Sequence, residues 1–163
     1  MENKFKIGGI FYVKCIAPTG VVKWEDSAPN IIPDVALDYI LDVTFNGTVA
    51  TDPWYVGLKN VGAVAAADTA ASHAGWTENT NYTGTRKEYV AAASSGESIT
   101  NTASVASFAI DTDTQTIAGA LLDSTTSGTA GILISVADFT GGNKSADNGD
   151  TLEVTYVVSA TSA

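Results

Sequence analysis

Apolar positions along this chain come in short runs fenced by glycine, proline and small polar residues. Ile10 to Ala17 and Val21 to Asp26 are rich in apolar and β-branched residues and join across Pro18-Thr19-Gly20, which predicts a β-hairpin with a tight turn. Trp54 to Leu58, WYVGL, follows Pro53 and reads as a short buried strand in which Gly57 allows close packing or a bend. Beyond Arg86 the strand candidates are Lys87 to Ala92, Ser98 to Thr102, Val105 to Ile110, Thr116 to Leu122, Ile132 to Phe139 and Leu152 to Ser159, separated by Ser-, Thr-, Gly- and Asp-rich turns. The period changes once. In PNIIPDVALDYILDVTF, Val35, Leu37, Ile40, Leu41 and Phe45 fall near helical spacing, Pro33 suits a first turn, and Asp34 suits the positive end of the dipole. One helix is predicted from Pro33 to Val43, stopping near Asn46-Gly47. The elements together predict an all-β fold, a two-sheet sandwich of jelly-roll-like type with one short α-helix. Its core is expected from Trp54, Val56, Leu58, Phe108, Ile117, Leu121, Ile132, Ile134, Val154 and Tyr156. The segment Asp68 to Ala71 suggests a short helical turn.

Composition narrows this picture. With 163 residues and no repeat or linker, residues 1–163 read as a single β-sandwich domain. The apolar fraction is 45 %, but much of it is alanine, which limits the core to two layers. Eighteen acids against eight bases give a net charge of −10, with no basic stripe to displace counterions from phosphate, so direct nucleic-acid binding is not expected. The acidity also argues against an anionic membrane surface, and no apolar run approaches a membrane span. The start of the chain, lysines then an apolar run, resembles a signal peptide only superficially, because Lys14 interrupts the run and the pattern alternates like a strand. Cys15 is the only cysteine, which leaves the fold to rest on packing and hydrogen bonds, with this thiol buried.

Candidate chemistry gathers in HAGWTENTNYTGTR, His73 to Arg86, which holds the only histidine. Ser72, His73 and Asp68 have the residue types of a hydrolytic triad, but no nucleophile elbow accompanies them, and adjacent Ser and His are badly placed for proton transfer. No catalytic residue is assigned. One His and one Cys cannot build a metal site of nitrogen and sulfur ligands, and the best oxygen candidates, Asp111 with Asp113 and Asp147 with Asp150, match ordinary polar turns. Neither a metal nor a cofactor is expected. Two carboxylates facing across a glycosidase cleft have no support in the pattern. Trp76, Tyr82 and Tyr89 could stack on a sugar, but aromatics bordering a long loop more often pin it to the fold. The expectation is that Trp76 and Tyr82 pack on the sandwich, that Arg86 pairs with Glu78 or with loop carbonyls, and that His73 is incidental. Trp76, Glu78, Tyr82 and Arg86 are therefore the candidate loop-ordering and interaction residues. Met1 to Lys6, with Lys4 and Lys6, is a candidate N-terminal arm toward a neighbouring subunit.

The blocks PNIIPDVALDYILDVTF, PWYVGL, GWTENTNYTGTRKEYV, ITNTASVASFAI, IAGALL and GDTLEVTYVV, in this order and spacing, resemble a group of small virion proteins encoded in the structural gene clusters of tailed bacteriophages. The likeness covers nearly the whole chain. It is strongest at WYVGL and at GWTE with the following tyrosine and arginine, and weakest in the alanine-rich segment. Such proteins are similar to the jelly-roll cement or decoration proteins that coat a capsid, which implies a structural, non-enzymatic role. The implied partner is the major capsid protein, and the implied location is the outer surface of the virion after synthesis in the host bacterial cytoplasm. The competing expectation is a tail-fibre or spike module that binds a receptor glycan, which would leave Trp76 or Tyr82 exposed in a groove. Because an open sandwich must protect its strand edges, self-association is also expected, as a homodimer first and a trimer second.

Overall fold

A computed structural model describes residues 5–162. In chain order the elements are β1 (Phe5–Ile16), β2 (Val22–Pro29), α1 (Asp34–Phe45), β3 (Tyr55–Lys59), β4 (Glu78–Asn79), β5 (Lys87–Glu88), β6 (Ser98–Thr100), β7 (Ala106–Ala109), β8 (Gln115–Ile117), β9 (Gly119–Asp123), β10 (Leu133–Asp138), β11 (Lys144–Ala146) and β12 (Thr151–Ser162). One sheet runs β2-β1-β12-β6, with β7 also on β12. The other runs β10-β9-β3-β4, with β5 also on β3, and β8 and β11 make a two-stranded ribbon. The fold is an all-β sandwich with one helix.

The first sheet is built on β1 and β12, antiparallel along their whole length from Phe5 opposite Ser162 to Ile16 opposite Thr151. Alternation places Phe11, Val13 and Cys15 of β1 on the same face as Leu152, Val154 and Tyr156 of β12, and this face packs with Val56, Leu58, Ala120 and Leu122 of the second sheet. Phe11 stacks on Tyr156 at 4.0 Å between ring centroids. Gly9 makes room for that ring, since a Cβ there would stand 2.6 Å from it. Asn30 ties the layers together: its amide donates to Tyr156 Oη at 2.8 Å and Ser135 Oγ at 2.7 Å, and its carbonyl accepts the Gly9 N–H at 2.6 Å.

The second sheet is buried on both faces. A separate cluster of Ala70, Trp76, Leu121, Leu133 and Val136 lies outside the main core, so every residue of β9 is buried. This corrects part of the expected core. Ile132 and Ile134 are only half-buried, whereas Leu133 and Val136 are fully buried. An irregular register between Leu133 and Ser135 offsets the simple alternation of β10. Trp54 is half-buried against the core, and the other expected core residues are buried.

Helix α1 begins after Pro33 in extended conformation, and ends at Asn46 followed by Gly47 in the left-handed region. Its packed side is Val35, Ala36, Tyr39, Ile40 and Val43, of which only Ala36 is fully buried. Leu37, Leu41 and Phe45, counted toward the same apolar face from their spacing, point outward. No helical turn forms at Asp68 to Ala71; Thr69 and Ser72 exchange backbone hydrogen bonds there instead. Of the candidate arm, Phe5 and Lys6 are strand, paired with Ser162 and Thr161, and Met1 to Lys4, with Lys4 among them, lie outside the described residues. Among those residues no helix is long and apolar enough to cross a membrane.

Candidate functional site

The segment from Asn60 to Arg86 leaves the end of β3, runs over the outer face of the second sheet, and returns to pair beside β3 through β4 and β5. Four of the residues singled out in the sequence order it. Trp76 is buried in the outer cluster, and its indole N–H donates to Asp68 Oδ2 at 2.8 Å. The His73 ring stacks on the indole at 4.0 Å, and its Nδ1 donates to the Trp76 carbonyl at 3.0 Å. A carbonyl only accepts, so Nδ1 carries the proton. His73 is thus part of the packing and not incidental.

Beneath the indole lies Lys59, fully buried, its ammonium 5.8 Å from the ring centre. The charge is met by Asp138 Oδ1 at 2.5 Å, the Asn60 carbonyl at 3.0 Å and the Gly62 carbonyl. Gly62 and Gly75 pass so close that a Cβ on Gly62 would stand 1.9 Å from the Gly75 carbonyl oxygen. Two glycines are what let the loop fold back on itself.

Arg86 is the second anchor. Its Nε and Nη2 bind Glu78 Oε1 and Oε2, both at 2.8 Å, a bidentate pair. Nη1 reaches Asp123 Oδ1 at 2.8 Å and the Thr125 carbonyl at 3.0 Å, and Nη2 also reaches the Gly128 carbonyl at 3.0 Å. One guanidinium therefore joins β4, the end of β9 and the loop after it. Burial works against its charged form, but Glu78 and Asp123 outweigh burial and hold Arg86 above its usual range. Asp123 Oδ2 is buried with no hydrogen-bond partner among the described residues. Tyr82 is buried edge-on to Phe108 at 4.8 Å, and burial followed by the nearby Glu78 charge pushes its hydroxyl up from the ordinary value.

The hydrolytic arrangement does not form. Asp68 is engaged by Trp76 and by the Ala65 N–H, and no hydrogen bond joins Ser72 to His73 or His73 to Asp68 among the described residues. The two acidic turns do meet. Asp113 accepts the Asn148 N–H at 3.1 Å and Asp147 accepts the Thr114 N–H at 3.2 Å. Lys23 sits between Asp147 and Asp150 at 3.0 and 2.6 Å, so an ammonium holds the place where these carboxylates converge. No group of three or more candidate ligands is assembled for a metal among the described residues.

Lys59, Asp123 and Asp138 were not legible as partners of this cluster, since a lysine at a strand end and acids in β9 and β10 carry no local sign of burial. Compared with known proteins, the chain matches no family model, no curated protein and no solved structure.

Proposed function

We propose that this chain is a structural virion protein, a cement or decoration protein that binds the outside of a tailed-phage head through the major capsid protein and stabilises the shell. The observation that carries the reading is what the clustered chemistry does: Trp76, Glu78, Tyr82 and Arg86 are engaged with Asp68, Asp123, Phe108 and loop carbonyls inside the fold. The sequence blocks described above support the same reading. So does the net charge of −10, which disfavours adsorption to the packaged genome.

The mechanism is linkage. A subunit that binds the assembled shell and not its dissociated parts lowers the free energy of the assembled state by its own binding free energy at each site. Many such sites raise the barrier to rupture by internal DNA pressure. The test is to titrate the purified chain onto capsids that lack it and to follow thermal rupture. Saturable binding with a higher rupture temperature is expected, and no binding with an unchanged rupture temperature rejects the reading.

One feature favours the second reading, a tail-fibre or spike module. An open groove of about 570 Å³ on the outer face of the first sheet is lined by the exposed Tyr12 with Glu25 and the Lys14–Glu153 ion pair, an aromatic beside a few polar groups as ligand sites combine them. The buried Trp76 and Tyr82 provide no such platform. A glycan that protects Tyr12 from modification would favour this reading.

A further inference from the structure

Strand β2 pairs with β1 only from Ile10 to Ile16, while β12 covers the other edge of β1 throughout. Gly9 turns its N–H and C=O to the β2 side, where Asn30 satisfies both. Successive residues of a strand alternate in this respect, so Ile7 and Phe5 aim their backbone groups the same way. No strand lies beside them among the described residues. Next to this open edge, Phe5, Ile7, Leu37, Ile40 and Leu41 line a groove of about 480 Å³ between β1 and α1. The outward stripe of the helix extends it, with Leu37 41 %, Leu41 55 % and Phe45 82 % exposed, beside Phe5 at 68 %.

We propose that this edge and stripe form a two-fold interface with a second copy of this chain, β1 pairing antiparallel with β1. The edge is its own complement. With the axis at Lys6, Phe5 stands opposite Ile7 of the other copy and Ile7 opposite Phe5, making two hydrogen-bonded pairs from groups that no strand meets among the described residues. The register with Ile7 on the axis would need Gly9, which Asn30 already occupies. Area favours the same occupant. At about 150–250 Å² for a large side chain, the exposed fractions of Phe5, Leu37, Leu41 and Phe45 amount to roughly 450 Å² of apolar surface per copy. Two copies bring about 900 Å² before any backbone is counted, close to the roughly 1,000 Å² that a specific interface needs. Opposing it are Lys6 facing Lys6 across the axis, the exposed Asp38 and Asp42 beside the stripe, and the net charge of −10 on each copy, so the dimer tightens as salt screens these like charges.

The interface does not rest on the capsid reading, because it is tested on the purified chain alone. Sedimentation equilibrium should show a dimer, and Leu41→Asp, at an exposed position, should weaken it at least about tenfold while melting like the parent at dilutions where both are monomeric. Lys6→Cys tests the register. A non-hydrogen-bonded antiparallel pair has its Cα atoms about 4.5 Å apart, within disulfide range, so mild oxidation should link two copies, while Glu88→Cys on the second sheet should stay unlinked. A monomer at about 100 µM overturns the proposal. So does a dimer that ignores Leu41→Asp and leaves Lys6→Cys unlinked.

Discussion

Single side chains decide how this sandwich holds its long loop, and Arg86 does most of it. Arg86→Met would leave Glu78 and Asp123 buried without their counter-charge, a loss of about 3–5 kcal/mol. Arg86→Lys should recover only part of that, since an ammonium cannot make the bidentate fork; urea unfolding of both variants checks the order. The Arg86 to Glu78 pair was legible because both lie in one short stretch. Asp123 was not, because only the fold brings the end of β9 to it. Cys15 shows the reverse case, a lone thiol read correctly as buried. Burial, then the Asp150 charge, pushes it up to about 12, so iodoacetamide at pH 8 should leave it unmodified in the folded chain and alkylate it in urea. Asp26 gives the acid response. Burial opposes its ionisation, but Lys144, the Ser27 and Gly141 N–H groups and the Thr140 hydroxyl outweigh it and hold the carboxyl below its usual range. A folded value below the unfolded one of about 3.9 means the stabilisation is complete above that pH and lost as pH falls through the folded value. Urea midpoints at pH 7 and pH 3 should therefore converge in Asp26→Asn relative to the parent.

At the scale of elements, strands with apolar or alternating runs were readable, and the short β5, β6 and β7 fall inside runs read as strand, but strands without such a run were not readable. β1, β3, β9, β10 and β12 follow from their own patterns, whereas β4 and β11 consist of Glu78–Asn79 and Lys144–Ala146 and exist only because a neighbouring strand offers them hydrogen bonds. The Thr116 to Leu122 run divides into β8 and β9 at Ala118, as the chain passes from the ribbon to the second sheet. Gly119 stands at that break, where a Cβ would be 1.8 Å from the Ala137 carbonyl oxygen, so Gly119→Ala should separate β9 from β10 and yield little folded protein. The existence of α1 was readable but its orientation was not, because apolar residues extend around more of the helix than its neighbours cover. The loop from Asn60 to Arg86 has Trp76 as its main apolar anchor. Trp76→Ala should cost about 3–5 kcal/mol and open the loop to protease, and His73→Ala, removing one stacked ring and one hydrogen bond, should do so to a smaller degree.

For the whole molecule, two sheets share one core, the second sheet carries the ordered loop on its outer side, and the first leaves its outer face and the β1 edge to solvent. This division gives the proposed cement role two separate surfaces, one for a second copy and the rest for a shell. An acidic, charge-poor exterior is compatible with that work and poorly suited to gripping nucleic acid. The central claim is that this chain coats a phage head, and electron cryomicroscopy of intact particles tests it most directly. The account predicts hundreds of copies arranged over the outer head surface, each seated on major capsid subunits. A few copies confined to the tail, or none on the particle, would contradict it.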